Sequence, residues 1–340
     1  MNLRQFQRKK KINANILYLS IDPIYSRIMV GTKTGAQVYN IKIQNVGIVE
    51  LINNKFVTFV GAGEQPELSP RVLFFYNYLK NKKLSNLTVI HNITALKKSR
   101  TKLVIVTAKK TYIYSIPKLE LLKIFDVENP KGLCEIAYEN EYLAFPDPKN
   151  PGNIQLYDTQ NNKEFQSLIC HKSGISAFAF NKQGTLLATT SEKGTIVRVF
   201  ETNNLGKRKF KFRRGTTNAK IYSIAFSSQS SYLCLTSNRE TVHVFKIPKK
   251  EKKNKLELNS LISEKLDFGR AFAHATIDHL IQDLNQDLTI KNEQNSVESK
   301  IIDETSFVLI SGEGKVLTYS FDPKKGGKCG LQSQNSLLDF

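Results

Sequence analysis

The chain repeats one pattern of short strands at a regular spacing, and this repeat limits the folds that it can adopt. Residues 175–201 (ISAFAFNKQGTLLATTSEKGTIVRVFE) and 221–246 (IYSIAFSSQSSYLCLTSNRETVHVFK) both contain a strand, a polar turn, a strand ending in Thr-Ser, a second turn and a strand with Val-Phe near its end. Weaker copies occur at residues 16–39 and 307–319. A period of about 40–45 residues is the spacing of four-stranded propeller blades.

The number of repeats predicts the size of the ring. At about 45 residues per blade, a chain of 340 residues is long enough for roughly seven blades. The expected fold is therefore all-β, a seven-bladed β-propeller of four-stranded antiparallel blades. A β-sandwich also contains many short strands, but the regular period favours the propeller. The chain has no Trp, so the Trp-Asp mark of ordinary WD repeats is absent, and apolar residues at helical spacing occur only at residues 278–287.

We expect a single domain with three segments that do not fit its blades. The propeller is predicted to span residues 14–340, after a basic leader at residues 1–13. A loop at residues 248–267 is predicted between the third and fourth strands of its blade; it contains five lysines and one glutamate near its start, followed by leucines. Residues 278–304, rich in Asn and Gln, are predicted to form a polar insertion near the start of the last blade.

Charge and cysteine usage narrow the class of partner and the compartment. Lys and Arg number 50 and Asp and Glu 30, which gives a formal net charge of +20. Such a charge favours an acidic partner: nucleic acid, anionic lipid or an acidic protein. The four cysteines form no C-x-x-C pair, so we expect no zinc site, no disulfides and a reducing, cytosolic setting. No apolar stretch approaches the ~20 residues of a membrane span, and we expect no signal peptide.

Motifs of catalysis are missing from the sequence. There is no P-loop, no nucleophile elbow and no H-E-x-x-H. The glycines of Gly61-Ala-Gly63 lack the rest of a nucleotide-binding motif and are better explained by a tight turn. We therefore expect a protein that is not an enzyme and has no cofactor and no metal.

The densest basic cluster is the segment KRKFKFRRG at residues 207–215. Alternate side chains of a strand face opposite sides, so Arg213 and Arg214 should point to two different faces. A guanidinium group can bind phosphate oxygens through two hydrogen bonds, which predicts two separate anion pockets. The alternative is a basic edge strand whose charge only prevents association with other strands.

The segment FRRG at residues 212–215, followed by AKIYSIAF at residues 219–226, resembles the signature of the PROPPIN family. Further segments are similar to the family: residues 171–200 to its fifth blade, 241–245 to its sixth, 60–71 to its second and 326–329 to its last strand. The resemblance covers nearly the whole chain. It implies a seven-bladed propeller that binds phosphoinositides and has no enzymatic activity.

The resemblance also implies which residues bind the lipid headgroups. Two pockets would open on the rim, on either side of the double arginine, with arginines supplying charge and hydroxyls and histidines supplying further donors. The implied first pocket contains His171, Ser191, Thr195, Arg198 and Arg213. The implied second pocket contains Arg214, Ser237, Thr241 and His243. Taken singly, these residues also fit turns, a core histidine or a local ion pair.

The loop at residues 248–267 resembles the sixth-blade loop with which the family contacts membranes. Its lysines would lie against anionic headgroups, at about 1 kcal/mol each, and its leucines would bury at the interface. The implied contact residues are Lys249, Lys250, Lys252, Lys253, Leu256, Leu258, Leu261 and Ile262. The alternative is a loop that only keeps the protein soluble. Pro70 and Arg71 occupy the second-blade loop where the family docks autophagy or lipid-transfer proteins.

These expectations describe a monomeric phosphoinositide-binding effector and scaffold. It would recognise phosphatidylinositol 3-phosphate, the 3,5-bisphosphate or both. It would attach reversibly, as a peripheral protein, from the cytoplasm to preautophagosomal, endosomal or vacuolar membranes, in autophagy or endosomal protein transport, and would not bind nucleic acid. One alternative is a basic WD-type scaffold that binds RNA or an acidic protein without lipid specificity. Another is a structural propeller with degenerate pockets.

Overall fold

The structure is a computed structural model. It describes residues 16–21, 28–32, 35–38, 41–43, 46–52, 56–61, 63, 68–77, 80, 82–165, 167–203, 208–239, 241–248, 269–277, 297–301, 304–311 and 315–336. The predicted leader at residues 1–13, the possible helix at residues 278–287 and all but the first residue of the predicted loop lie outside the described residues. The regular elements that the structure describes are strands, and it contains no helix in these ranges that is long and apolar enough to cross a membrane.

The described strands form seven sheets, numbered 1–7 here in chain order. Sheet 1 contains β1 (Ile16–Ile21), β2 (Ile28–Thr32), β3 (Gly35–Val38) and β4 (Ile41–Ile43); sheet 2 contains β5 (Val46–Leu51), β6 (Phe56–Gly61), β7 (Val72–Asn77) and β8 (Lys82–Thr88); sheet 3 contains β9 (Ile93–Lys98), β10 (Lys102–Thr107), β11 (Lys110–Ser115) and β12 (Leu121–Asp126). Sheet 4 contains β13 (Glu135–Ile136), β14 (Tyr142–Pro146), β15 (Asn153–Asp158), β16 (Lys163–Glu164) and β17 (Leu168–Ile169).

The remaining three sheets contain the repeated segments. Sheet 5 contains β18 (Ile175–Phe180), β19 (Leu186–Ser191), β20 (Ile196–Glu201) and β21 (Arg208–Arg213). Sheet 6 contains β22 (Ile221–Phe226), β23 (Tyr232–Ser237), β24 (Thr241–Lys246), β25 (Ala273–Thr276) and β29 (Gly327–Lys328); sheet 7 contains β26 (Val297–Ile301), β27 (Ser306–Ser311), β28 (Lys315–Ser320) and β30 (Gly330–Ser336). Neighbouring strands pair antiparallel, except that β29 pairs parallel with β25.

The seven sheets contact one another in cyclic order. The first strand of each sheet contacts the first strand of the next, from β1 and β5 through β22 and β26, and a contact between β1 and β26 closes the ring. Each sheet therefore turns its first strand toward the centre and its last strand toward the rim. This is the arrangement of a β-propeller, as the repeat predicts, and the seven described sheets agree with the predicted seven blades.

Apolar clusters fill the spaces between neighbouring sheets, because alternate residues of each strand face opposite sides. Between sheets 4 and 5 the buried cluster includes Leu156, Leu187 and Phe200. On the other face of sheet 5, Val197 and Phe212 pack with residues of sheet 6. The two faces of sheet 5 thus look toward sheet 4 and toward sheet 6, which fixes where its polar side chains meet their neighbours.

Two boundaries differ from the sequence-based expectation. The residues of 326–329 do not form the last strand: Gly327–Lys328 pairs with β25 of sheet 6, and the last strand of sheet 7 begins at Gly330. Gly326 and Gly327 have φ angles of +67° and +86°, so the chain turns here before it enters sheet 7. The strand Val297–Ile301 lies inside residues 278–304, so the segment predicted as an insertion includes the first strand of sheet 7.

A buried carboxylate joins sheet 3 to sheet 4. Glu141 is 2% exposed, and its Oε1 accepts hydrogen bonds from Ser99 Oγ at 2.7 Å and from the Thr101 amide and Oγ1, both at 2.8 Å. Glu141 directly precedes β14 of sheet 4, and the donors that it binds lie in the turn between β9 and β10 of sheet 3.

Removing this carboxylate should destabilise the ring. We expect Glu141→Ala to lower the free energy of unfolding by about 2–3 kcal/mol, because the buried hydroxyl of Ser99 and the two donors of Thr101 lose their acceptor. Urea unfolding monitored by circular dichroism measures the loss. The control is Glu128→Ala, which removes an exposed carboxylate and should change stability by less than ~0.5 kcal/mol. Equal stability of the two variants would contradict the structural role of Glu141.

Candidate functional site

The strand register collects basic side chains on the face of sheet 5 that looks toward sheet 4. Arg198 of β20 lies opposite Thr189 of β19 on one side and Lys211 of β21 on the other. Directly paired residues of antiparallel strands lie on the same face. Arg213 is two residues beyond Lys211 on the same strand and therefore also lies on this face. Ser191, two residues beyond Thr189, completes the end of the row.

Sheet 4 supplies a histidine to the same place. His171 follows β17, and its amide donates to Gly152 O at 2.8 Å. Its Nε2 lies 3.0 Å from Thr189 Oγ1. The Arg198 guanidinium donates to the carbonyl of Cys170, the residue before His171. We call this group the sheet 5 site; it contains His171, Thr189, Ser191, Arg198, Lys211 and Arg213.

The electrostatics of the sheet 5 site favour an anion. Burial, and after it the positive charge of Arg198, lower the pKa of His171 to about 4. Burial and then the charge of Arg208 lower the pKa of Arg198. The Arg198 Nε is buried and has no hydrogen-bond partner among the described residues. A buried donor without a partner costs free energy, and a bound anion would satisfy it.

The second group lies on the face of sheet 6 that looks toward sheet 5. His243 of β24 lies opposite Leu235 of β23 and opposite His274 of β25, and Thr241 lies opposite Thr276. Ser237, two residues beyond Leu235, is buried on the same face. This row has the same construction as the row of sheet 5, with His243 in the position of Arg198 and His274 in the position of Lys211.

Arg214 reaches this group from sheet 5. It is 7% exposed, its Nε donates to Gly194 O at 2.6 Å, and its guanidinium also donates to Thr217 O. Gly194 has a φ of +62°, and a Cβ there would lie 2.0 Å from the carbonyl oxygen of Ala219, so the turn that holds Arg214 requires glycine. Burial and then the charge of Arg239 lower the pKa of Arg214.

His243 is the buried counterpart of Arg198. Its Nδ1 has no hydrogen-bond partner among the described residues. Burial, and after it the nearby Arg214 and His274, lower the pKa of His243 to about 4. We call Arg214, Ser237, Thr241, His243, His274 and Thr276 the sheet 6 site.

Comparison with known proteins identifies the family. The family model described as PROPPIN matches residues 24–338. The chain belongs to the PROPPIN family. It is 35% identical over 249 residues to "Autophagy-related protein 18" of Dictyostelium discoideum, covering 70% of this chain and 66% of that protein. It is 30% identical over 349 residues to "WD repeat domain phosphoinositide-interacting protein 1" of Homo sapiens, covering 92% of this chain and 74% of that protein.

A solved structure supports the fold. The structure of Kluyveromyces lactis Hsv2 with its complete loop 6CD superposes with a TM-score of 0.77 at 19% sequence identity, covering 95% of this chain and 99% of that chain. At this level of identity the similarity concerns the fold alone. It agrees with the closed ring of antiparallel sheets that the described residues form.

The two sites of this PROPPIN follow one rule of construction. In each, a basic residue after the outer strand of one sheet meets a row of side chains on the next sheet. The amide of His171 donates to Gly152 O, and that of Arg214 donates to Thr195 O at 3.0 Å. Thr195 thus contributes its carbonyl to the turn that holds Arg214. The sequence did not single out Thr189, Lys211, His274 or Thr276, and only the strand register places them beside the predicted residues.

The other predicted contact residues of this PROPPIN are less completely described. Arg71 is exposed, and the carbonyls of Pro70 and Arg71 accept the amides of Ile93 and Val89 at 2.9 Å, which links sheet 2 to sheet 3. All eight predicted membrane-contact residues, from Lys249 to Ile262, lie outside the described residues. The strands that flank them are β24 and β25, the third and fourth of sheet 6. Within the described ranges, no group of His, Cys, Asp and Glu could hold a metal ion.

Proposed function

We propose that this PROPPIN is a phosphoinositide-binding membrane effector that recognises phosphatidylinositol 3-phosphate, the 3,5-bisphosphate or both. The observation that carries the proposal is the pair of sites on either side of Arg213 and Arg214. Each site combines a permanent guanidinium charge with hydroxyl donors, and each contains a buried nitrogen without a partner, Arg198 Nε or His243 Nδ1. Phosphate oxygens satisfy such donors.

The names of the relatives support the same function. The human relative is named for phosphoinositide interaction and the Dictyostelium relative for autophagy. We infer a role in autophagy or endosomal traffic, with reversible attachment from the cytoplasm to preautophagosomal, endosomal or vacuolar membranes. A protein partner would dock near Pro70 and Arg71, and the lysines and leucines of the 248–267 loop would contact the same bilayer. Two headgroup sites on one membrane strengthen attachment through effective concentration.

A lipid panel tests the proposal. Liposomes carrying phosphatidylinositol 3-phosphate, the 3,5-bisphosphate, the 4-phosphate or phosphatidylserine at matched charge are sedimented with the protein near physiological salt. We expect selective binding to the 3-phosphorylated lipids. Equal binding to every anionic liposome would overturn the proposal. A steep loss of binding with salt would then point to the basic scaffold, whose many lysines would bind RNA or an acidic protein.

A further inference from the structure

The outer strand of sheet 5 carries an irregularity that changes which side chains share a face. Val199 pairs with Phe210, but the next pair is Phe200 with Arg208, so Lys209 is the extra residue of a β-bulge. Phe200 lies on the same face as Arg198, and Arg208 therefore joins Lys211 and Arg213 there. Without the bulge, Arg208 would face the opposite side, toward sheet 6.

The bulge thus gathers positive charge in the sheet 5 site. Four cations of the described residues share this face: Arg198, Arg208, Lys211 and Arg213. Burial lowers the pKa of Lys211, and so do the charges of Arg208, Arg198 and Arg213. Like charges at such close range raise the free energy of the empty site, and an anion relieves this repulsion. The remaining cation of β21, Lys209, pairs with Glu201 at 2.7 Å.

The sheet 6 site holds fewer permanent charges. Arg214 is the one permanent cation among its six residues. Arg239, whose charge acts on Arg214 from outside these six, already donates to the carbonyl of Asn218 at 2.9 Å. His243 occupies the register position of Arg198, and its lowered pKa of about 4 leaves it neutral at pH 7. A phosphate monoester carries a charge of about −1.5 to −2 at pH 7. The two permanent positive charges of Arg214 and Arg239 balance the charge of one phosphate group, whereas the four on the face of sheet 5 balance the charge of two.

The geometry of the sheet 5 site provides two places for phosphate. Arg213 stands at the end of β21, opposite Ile196, and Lys211 lies two residues back, about 6.8 Å along the strand. Arg198 lies beside Lys211 across the ladder. This separation is about the width of one sugar ring, so phosphates on non-adjacent ring carbons can occupy both places.

From these observations we infer that Lys211, with Arg208 and Arg198, forms a second phosphate subsite that makes the sheet 5 site selective for a bisphosphorylated inositol headgroup. This inference rests on the proposed function and deepens it. The sheet 6 site, in contrast, takes a singly phosphorylated headgroup. Lys211 is then a specificity residue, because only a ligand with two phosphates uses its charge.

The test compares Lys211→Gln with Lys209→Gln. Binding is measured to liposomes that carry phosphatidylinositol 3-phosphate or the 3,5-bisphosphate at matched charge. Soluble inositol 1,3-bisphosphate and inositol 1,3,5-trisphosphate serve as competitors. We expect Lys211→Gln to weaken binding of the 3,5-bisphosphate about tenfold, the contribution of one charge-assisted hydrogen bond. It should weaken binding of the monophosphate less than twofold, and Lys209→Gln should change neither.

Each other outcome counts against the inference. An equal loss for both lipids, or an equal effect of the two variants, would mean that Lys211 contributes only general charge. A loss on liposomes with unchanged competition by the soluble trisphosphate would mean that Lys211 contacts the bilayer surface instead of a phosphate. A wild-type protein that binds all anionic liposomes alike would overturn the proposed function itself, and this inference with it.

Discussion

Arg213→Thr/Arg214→Thr should reduce binding to liposomes containing 3-phosphorylated phosphoinositides by more than about 100-fold. The double substitution removes one guanidinium from each site, and each charge-assisted contact to phosphate contributes about 1.5–3 kcal/mol. Because the two sites bind one bilayer together, their losses combine. Co-sedimentation across a range of lipid concentrations measures the effect.

A charge-matched variant separates site-specific binding from general attraction. Lys109→Thr/Lys182→Thr removes the same two charges from exposed turns away from both sites, and we expect it to keep at least half of the binding. If both double variants lose binding to the same degree, the net charge of +20 acts generically and the two-site proposal is wrong.

The single variants should differ in stability. Arg214 donates to two backbone carbonyls, at Gly194 and Thr217, and therefore also supports the fold. Arg213 ends its strand with a half-buried side chain. Urea unfolding of both single variants shows how much of each binding loss comes from destabilisation, which would be larger for Arg214→Thr. The affinity of the folded fraction is the quantity that reports on phosphate contact.

Acid should destabilise the ligand-free protein strongly through two histidines. We expect the free energy of unfolding to fall by about 3 kcal/mol for each of His171 and His243 as the pH is lowered from about 6.5 to about 4. Both have an ordinary pKa of 6.5 that burial lowers to about 4 in the folded protein. The unfolded chain binds protons in this range while the folded chain does not, so protonation favours unfolding. Above pH 6.5 both histidines are neutral in the folded and the unfolded chain, so the free energy of unfolding has its full value there.

Urea unfolding at several pH values between 7.5 and 4.5 tests this expectation. His171→Gln/His243→Gln should show a clearly flatter pH dependence than the wild type, because glutamine does not titrate. Parallel curves for the two proteins would contradict the role of these histidines. Saturating soluble inositol 1,3,5-trisphosphate should reduce the acid loss of the wild type, because a bound anion favours the protonated imidazole.

Local patterns were sufficient to predict most of the fold near the sites. The strands Ile175–Phe180 and Ile221–Phe226 begin where the repeated segments begin, because both have β-branched and aromatic residues bounded by polar turns. Arg198 and His243 stand in strands of this kind, so their position on one face follows from alternation alone.

The positions of Arg208 and His274 could not be predicted in the same way. The face of Arg208 relative to Lys211 depends on the bulge at Lys209, which no residue pattern in KRKFKFRRG marks. His274 meets His243 only because β25 pairs with β24 across the intervening residues 249–268. The register of such a strand pair is set by tertiary packing, so it cannot be predicted from composition. The assignment of residues 326–329 was wrong for the same reason, since a two-residue parallel pair leaves little local signal.

The parallel pairing of β29 with β25 also has a consequence for the stage of protein synthesis at which each site can be complete. Ala273–Thr276 carries His274 and Thr276, and its outer edge is covered by Gly327–Lys328, which the ribosome makes much later. On a growing chain, this edge of sheet 6 stays open until the hairpin of β28 and β30 is being completed. The sheet 5 site contains only residues up to Arg213 and can assemble well before that. The sheet 5 site can thus be complete while the sheet 6 site still lacks an edge, and a chain that stops before Gly327 lacks the residues that cover this edge of β25.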